Sequence, residues 1–191
     1  DLRSELIFTI DSADSKDLDD AVSLIKLGDS YQLGVHIADV SRYVTKGSPL
    51  DEEAFSRGTS LYYANRVVPM LPEALSNGIC SLNPQEDRLT FSALLTVSED
   101  GKLVDFDFQK SVICSRVKGV YSEINQILDR TASPEIIEKY AGLTDTLFQM
   151  EQLADILTAN RKNRGAPEID TTESKIIIGE DGSVSDIKPR E

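Results

Sequence analysis

Cysteine and histidine are scarce in this chain, and their scarcity removes whole classes of function. Cys80 and Cys114 are the only cysteines in 191 residues, so the dense disulfide framework of a small secreted domain is excluded. No Cys-x-x-Cys pair occurs and His36 is the single histidine, which rules out a zinc site of the Cys/His kind. The default setting is a reducing, cytoplasmic one. No apolar run approaches the roughly 20 residues that cross a bilayer, so no membrane association is expected. Nor does a basic segment followed by an apolar one open the chain as a signal peptide would. Low-complexity tracts and repeats of fixed period are absent. Basic residues are outnumbered, with 20 Lys and Arg against 33 Asp and Glu, for a formal charge of −13. That balance is opposite to the usual footprint of a nucleic-acid binder. Either it serves solubility alone, or part of the acidity holds a cation.

The hydrophobic set makes up 40% of the chain, enough for one globular domain or most of a larger one. The polar opening, Asp1 to Glu5, leads straight into a strand-like run, and Lys188-Pro189-Arg190-Glu191 follows a strand and closes nothing. Both ends predict a segment cut from a longer chain. Leu6 to Ile10 reads as a strand, Ala21 to Leu27 and Tyr31 to Ala38 as a hairpin turned at Gly28-Asp29-Ser30. Ser48-Pro49 opens a helix with Ser as N-cap, running to Arg57 and stopping at Gly58. Residues 59 to 87 mix short strands and turns. Arg88 to Ser98 and Lys102 to Ser115 form a second hairpin about Asp100-Gly101. Helices follow at Tyr121 to Asp129, from Ser133-Pro134-Glu135, and at Thr144 to Lys162, where Leu147, Met150, Leu153, Ile156 and Leu157 recur at helical spacing. Lys175 to Ile178 and Val184 to Ile187 end the chain as a hairpin. Hairpins first and helices later predict an α+β fold, an antiparallel or mixed sheet with flanking helices.

The chemistry-bearing stretch is Asp11-Ser12-Ala13-Asp14-Ser15-Lys16-Asp17-Leu18-Asp19-Asp20, with five aspartates between two apolar strands. Carboxylates this close repel one another unless a cation sits among them. Magnesium, a hard cation that prefers carboxylate, water and phosphate oxygens, has the right chemistry. A calcium loop of the EF-hand type fails: counted from Asp17, positions 5, 6 and 12 are Ala21, Val22 and Gly28. A solvated acidic loop and a metal site both fit the spacing.

Five motifs, in order, go further. Ile10-Asp11…Asp17-Leu18-Asp19-Asp20-Ala21 is followed by Gly34-Val35-His36-Ile37-Ala38-Asp39-Val40, Arg57-Gly58-Thr59-Ser60, Pro69-Met70-Leu71-Pro72 and Leu75-Ser76-Asn77-Gly78-Ile79-Cys80-Ser81-Leu82. Together they resemble the ribonuclease II and ribonuclease R family, whose catalytic part is the RNB domain. The His-Ile-Ala-Asp run is closer to the ribonuclease R branch. The resemblance implies a processive, magnesium-dependent hydrolase that degrades single-stranded RNA from its 3′ end to nucleoside 5′-monophosphates, with manganese as a substitute metal. It implies a two-metal mechanism, with Asp11, Asp17 and Asp20 as metal ligands and Asp19 on metal or on the terminal ribose. Asp14 falls outside that set. It also places two tyrosines on RNA, Tyr62 stacking on bases and Tyr121 near the scissile end; stacking suits a nuclease indifferent to sequence.

Other residues carry plainer readings. Tyr63 packs. His36, mid-strand in an apolar run, is a satisfied structural histidine. Arg57, Arg66 and Arg88 are phosphate contacts or surface charges. The resemblance also implies that residues 1–191 are a partial catalytic domain, truncated on the C-terminal side, from a parent with flanking OB-type RNA-binding barrels. Such a piece would bind metal weakly and show little nuclease activity. The alternative is a non-catalytic RNA-binding or metal-binding fragment of that fold.

Overall fold

The computed structural model describes residues 1–167 and 174–189; Arg190 and Glu191 of the abrupt terminus lie outside them. The fold is α+β. Its centre is a four-stranded antiparallel sheet in the order β2 (Asp20–Leu27), β3 (Ser30–Ala38), β6 (Asp87–Ser98), β7 (Leu103–Cys114). Both expected hairpins are present. The tight β2–β3 turn is possible because Gly28 takes φ 59°, and Gly101, at φ 75°, does the same between β6 and β7.

Alternation along the strands gives the sheet two different faces. On one, Leu24, Tyr31 and Val97 bury against Leu153 of α4 (Thr144–Asn163), with Leu33, Leu95 and Leu157 packed around them. On the other, Ala21, Ala38 and Ile113 meet Ile7, Leu18, Cys80 and Leu82. A third cluster joins Phe8 to α2 (Tyr121–Leu128), α3 (Pro134–Lys139) and α4 through Ile124, Ile127, Tyr140, Leu143 and Leu147. Helix α1 (Pro49–Arg57) begins as read: the Asp51 amide donates to Ser48 Oγ at 3.2 Å. Among the described residues no helix is long and apolar enough to cross a membrane, and both cysteines are free.

One departure from the sequence reading bears on the site, and the short strands expected between residues 59 and 87 are present. The strand read over Leu6 to Ile10 forms only at the end of that run, and Phe8 makes an isolated bridge to Val22. Strand β1 is Thr9–Asp11, and it lies parallel to a short strand not foreseen, β8 (Lys118–Val120), with Asp11 opposite Val120. Between residues 59 and 87, two-residue strands β4 (Leu61–Tyr62) and β5 (Val67–Val68) pair as a small hairpin, and Ala74–Ile79 winds into a π-helical turn. The last hairpin is β9 (Ser174–Ile178) with β10 (Val184–Pro189).

Candidate metal centre and adjoining cavity

The acidic stretch is irregular between β1 and β2, yet it is held at many points. Lys118 Nζ donates to the carbonyls of Ala13 at 2.8 Å and Ser15 at 2.6 Å. Ser81 Oγ accepts from the Leu18 amide at 3.1 Å and donates to the Lys16 carbonyl at 2.8 Å. The Leu82 amide donates to the Leu18 carbonyl at 2.7 Å, and the Ala38 amide to that of Asp19 at 2.9 Å. Leu18 itself is buried in the core. A non-polar anchor set between Asp17 and Asp19 thus fixes where both acids leave the backbone. The Ser81-Leu82 motif therefore positions the acidic loop, and so does Lys118, which spacing alone did not single out.

The electrostatics are those of crowded carboxylates. Burial raises the pKa of Asp11 above its ordinary value; Asp20, Asp19 and Asp17 push the same way, while Lys118 opposes them. Burial and then Asp19 raise that of Asp20. Asp11 Oδ2 is buried and has no hydrogen-bond partner. A buried, unpaired carboxylate oxygen is costly and marks a place for a cation. The donor set, carboxylate oxygens only, fits magnesium or manganese by type. Asp11 senses the other three acids, but among the described residues no three carboxylates converge closely enough to form a finished metal cage. One of them is engaged elsewhere: Tyr62 donates its hydroxyl to Asp17 Oδ2 at 3.0 Å.

Beside the loop lies a cavity of about 860 Å³. Its walls are Ser12 to Asp14, the β4–β5 hairpin through Tyr62, Tyr63 and Val67, the start of α2 at Tyr121 and Ser122, and the β9–β10 hairpin through Lys175, Ile176 and Lys188. Tyr62 and Tyr121, the two tyrosines singled out, both face it and are 68% and 56% exposed. Of the acids in the loop, Asp14 lines it, while Asp11, Asp17, Asp19 and Asp20 do not. Tyr63 does not pack away as expected. It is 53% exposed on the cavity, with the Arg66 guanidinium 5.3 Å from its ring centroid, because the β4–β5 hairpin is too short to bury either face.

The supporting residues resolve as follows. Tyr121 is the first residue of α2, and that start is fixed from below. The Val120 amide donates to the hydroxyl of fully buried Tyr140 at 2.9 Å, and Tyr140 donates to Glu123 at 2.6 Å. Arg57 is held by Glu53 at 2.9 Å and the Pro69 carbonyl at 3.0 Å, and Arg88 by the Ser81 carbonyl at 2.8 Å. Both act on neighbouring loops. His36 is 1% exposed, hydrogen-bonded to Ser23 at 3.0 Å and Ser92 at 2.7 Å, and burial lowers its pKa to about 4. It is a neutral, satisfied core residue.

A family model described as the RNB domain matches residues 1–191. Ribonuclease R 1 of Lactococcus lactis is 49% identical over 191 residues, covering 100% of this chain and 23% of its own length. Ribonuclease R of Thermotoga maritima is 47% identical over 192 residues, covering 100% of this chain and 27% of its own. Mycoplasma genitalium RNase R, solved in complex with ribose-methylated single-stranded RNA, superimposes with a TM-score of 0.90 at 29% identity, covering 100% of this chain and 29% of that one. The chain belongs to the RNB domain family, and the two curated relatives just named are ribonucleases R. It spans about a quarter of the length of those curated relatives.

Proposed function

We propose that this chain carries the metal-binding centre of a 3′-to-5′ exoribonuclease that hydrolyses RNA to nucleoside 5′-monophosphates. The observation that carries the reading is the crowded acidic loop, with buried and unpaired Asp11 Oδ2, set beside a cavity lined by exposed tyrosines in an RNB domain. Asp11, Asp17 and Asp20 would hold magnesium, or manganese in its place, with Asp19 on metal or on the terminal ribose. When bound, the metal pair supplies an activated water and stabilises the leaving 3′ oxygen. The protein's own part is positional. Leu18, Ser81 and Lys118 hold the loop, and β8 fixes Asp11 through its pairing with β1. Tyr62 and Tyr121 offer flat faces to bases of any identity. The parent is proposed to act in the cytoplasm on single-stranded 3′ ends, with OB-type domains supplying the basic surface that this chain lacks.

A second reading is a non-catalytic RNA-binding or metal-binding fragment. It draws on the incomplete gathering of the carboxylates among the described residues. Exchanging residues 1–191 into a full-length ribonuclease R separates the two. The first reading predicts release of 5′-monophosphates from single-stranded RNA with magnesium, lost on Asp20→Asn. A folded chimera that binds RNA and releases nothing would establish the second.

A further inference from the structure

The β9–β10 hairpin places two like charges face to face. Lys175 and Lys188 are direct cross-strand partners, so their side chains leave the same face with Cβ atoms about 5 Å apart. Like charges in that position are destabilising. In a chain where acids outnumber bases 33 to 20, this is a conspicuous use of two lysines. Among the described residues, little opposes that repulsion. Lys188 meets Asp186 at 3.5 Å across an exposed pair, an interaction of little worth. Lys175 has no ion pair among the described residues. Both line the cavity together with Tyr62 and Tyr121, and among the described residues they are the only cationic side chains that do.

We propose that Lys175 and Lys188 form a phosphate-binding pair that grips the backbone of an RNA strand whose bases lie against the tyrosines. This rests on the reading of the cavity as an RNA channel and assigns the hairpin a role in it. Two lysines set at paired backbone positions on one cavity, in a chain of net acidic charge, match a bridging anion. The exposed rings lining the same cavity favour a strand with stackable bases over a small free anion. Binding of a phosphate offsets the repulsion that the empty pair carries.

The test is binding of a single-stranded RNA oligonucleotide to the 191-residue chain, with metal chelated to prevent cleavage, across a salt series. Each phosphate contact on a single strand contributes a slope of about −0.7 in log K against log salt. Lys175→Gln and Lys188→Gln are each predicted to reduce the slope by about that amount and to weaken binding at low salt, and Lys→Arg at either site to retain it. Neither Gln variant is expected to melt below the parent, because each removes a repulsion. RNA binding with an unchanged slope in both Gln variants would overturn the lysine pair while leaving the channel reading intact. No RNA binding by the parent chain would overturn the channel reading and the pair together.

Discussion

At the scale of single residues, the candidate centre is a competition for carboxylate lone pairs. Asp17 has one oxygen occupied by the Tyr62 hydroxyl, and Asp11 has one buried oxygen with no partner. The hydrogen bond to Asp17 holds the Tyr62 phenol above its ordinary pKa. A cation drawing in Asp17 must displace that bond or share its carboxylate. Tyr62→Phe removes the competitor and is predicted to tighten manganese binding by roughly two- to tenfold, the worth of one net hydrogen bond. The same variant keeps its ring, so RNA affinity is predicted to hold. Paired calorimetric and RNA-binding titrations check both; weaker metal binding in Tyr62→Phe would assign the hydroxyl to the site itself. The acids were legible in the sequence because their spacing and order carry a family pattern. The bond from Tyr62 was not, since it joins positions 45 residues apart across an exposed hairpin.

At the scale of elements, the parallel pair β1–β8 decides where Asp11 stands. Gly119 makes that close approach possible: a Cβ there would sit 2.4 Å from the Thr9 carbonyl oxygen and 3.0 Å from Ile124. Backbone cannot yield as a flexible side chain can, so Gly119→Ala must part the strands or distort them. It is predicted to lower stability by roughly 2–3 kcal/mol and to weaken metal binding with every aspartate still present. Denaturant unfolding and a manganese titration on the same sample read both effects. Helices and antiparallel hairpins were predictable element by element, because Ser48 and Ser133 caps, Gly turns and 3.6-residue periodicity are local signals. Strand β8 was not. It is three residues long, and its partner is more than a hundred residues away, so nothing nearby in sequence announces it.

At the scale of the whole molecule, a buried polar chain crosses all four strands of the central sheet. Ser23, His36, Ser92, Ser111 and Thr90 are hydrogen-bonded in series, the last contacts being 2.5 Å between Ser92 and Ser111 and 2.7 Å between Ser111 and Thr90. His36 resists protonation in the fold, down to about pH 4, whereas an unfolded His gains its proton near 6.5. The unfolded state therefore binds more protons between these values. The His36 contribution is complete above pH 6.5 and is lost as pH falls toward 4. At about 1.4 kcal/mol per pKa unit, the loss is about 2 kcal/mol by pH 5. Asp11 and Asp20, whose pKa values are raised, act in the opposite sense. They do so equally in a His36→Gln variant, so the difference between parent and variant isolates the histidine. Urea midpoints at pH 7 and pH 5 should fall more steeply in the parent; parallel shifts in the two proteins would contradict the assignment. The structural reading of His36 was available from its place in an apolar strand, but its serine and threonine partners become visible only when the sheet register is known.

The central claim is that these aspartates form a metal centre, and manganese titration by calorimetry tests it most directly. The parent chain and an Asp17→Asn, Asp20→Asn double variant would each be titrated with and without a single-stranded RNA oligonucleotide. Binding by the parent, strengthened by RNA phosphate and abolished in the double variant, is the predicted result. Equal binding by both proteins, or no binding by the parent in either condition, would contradict the assignment.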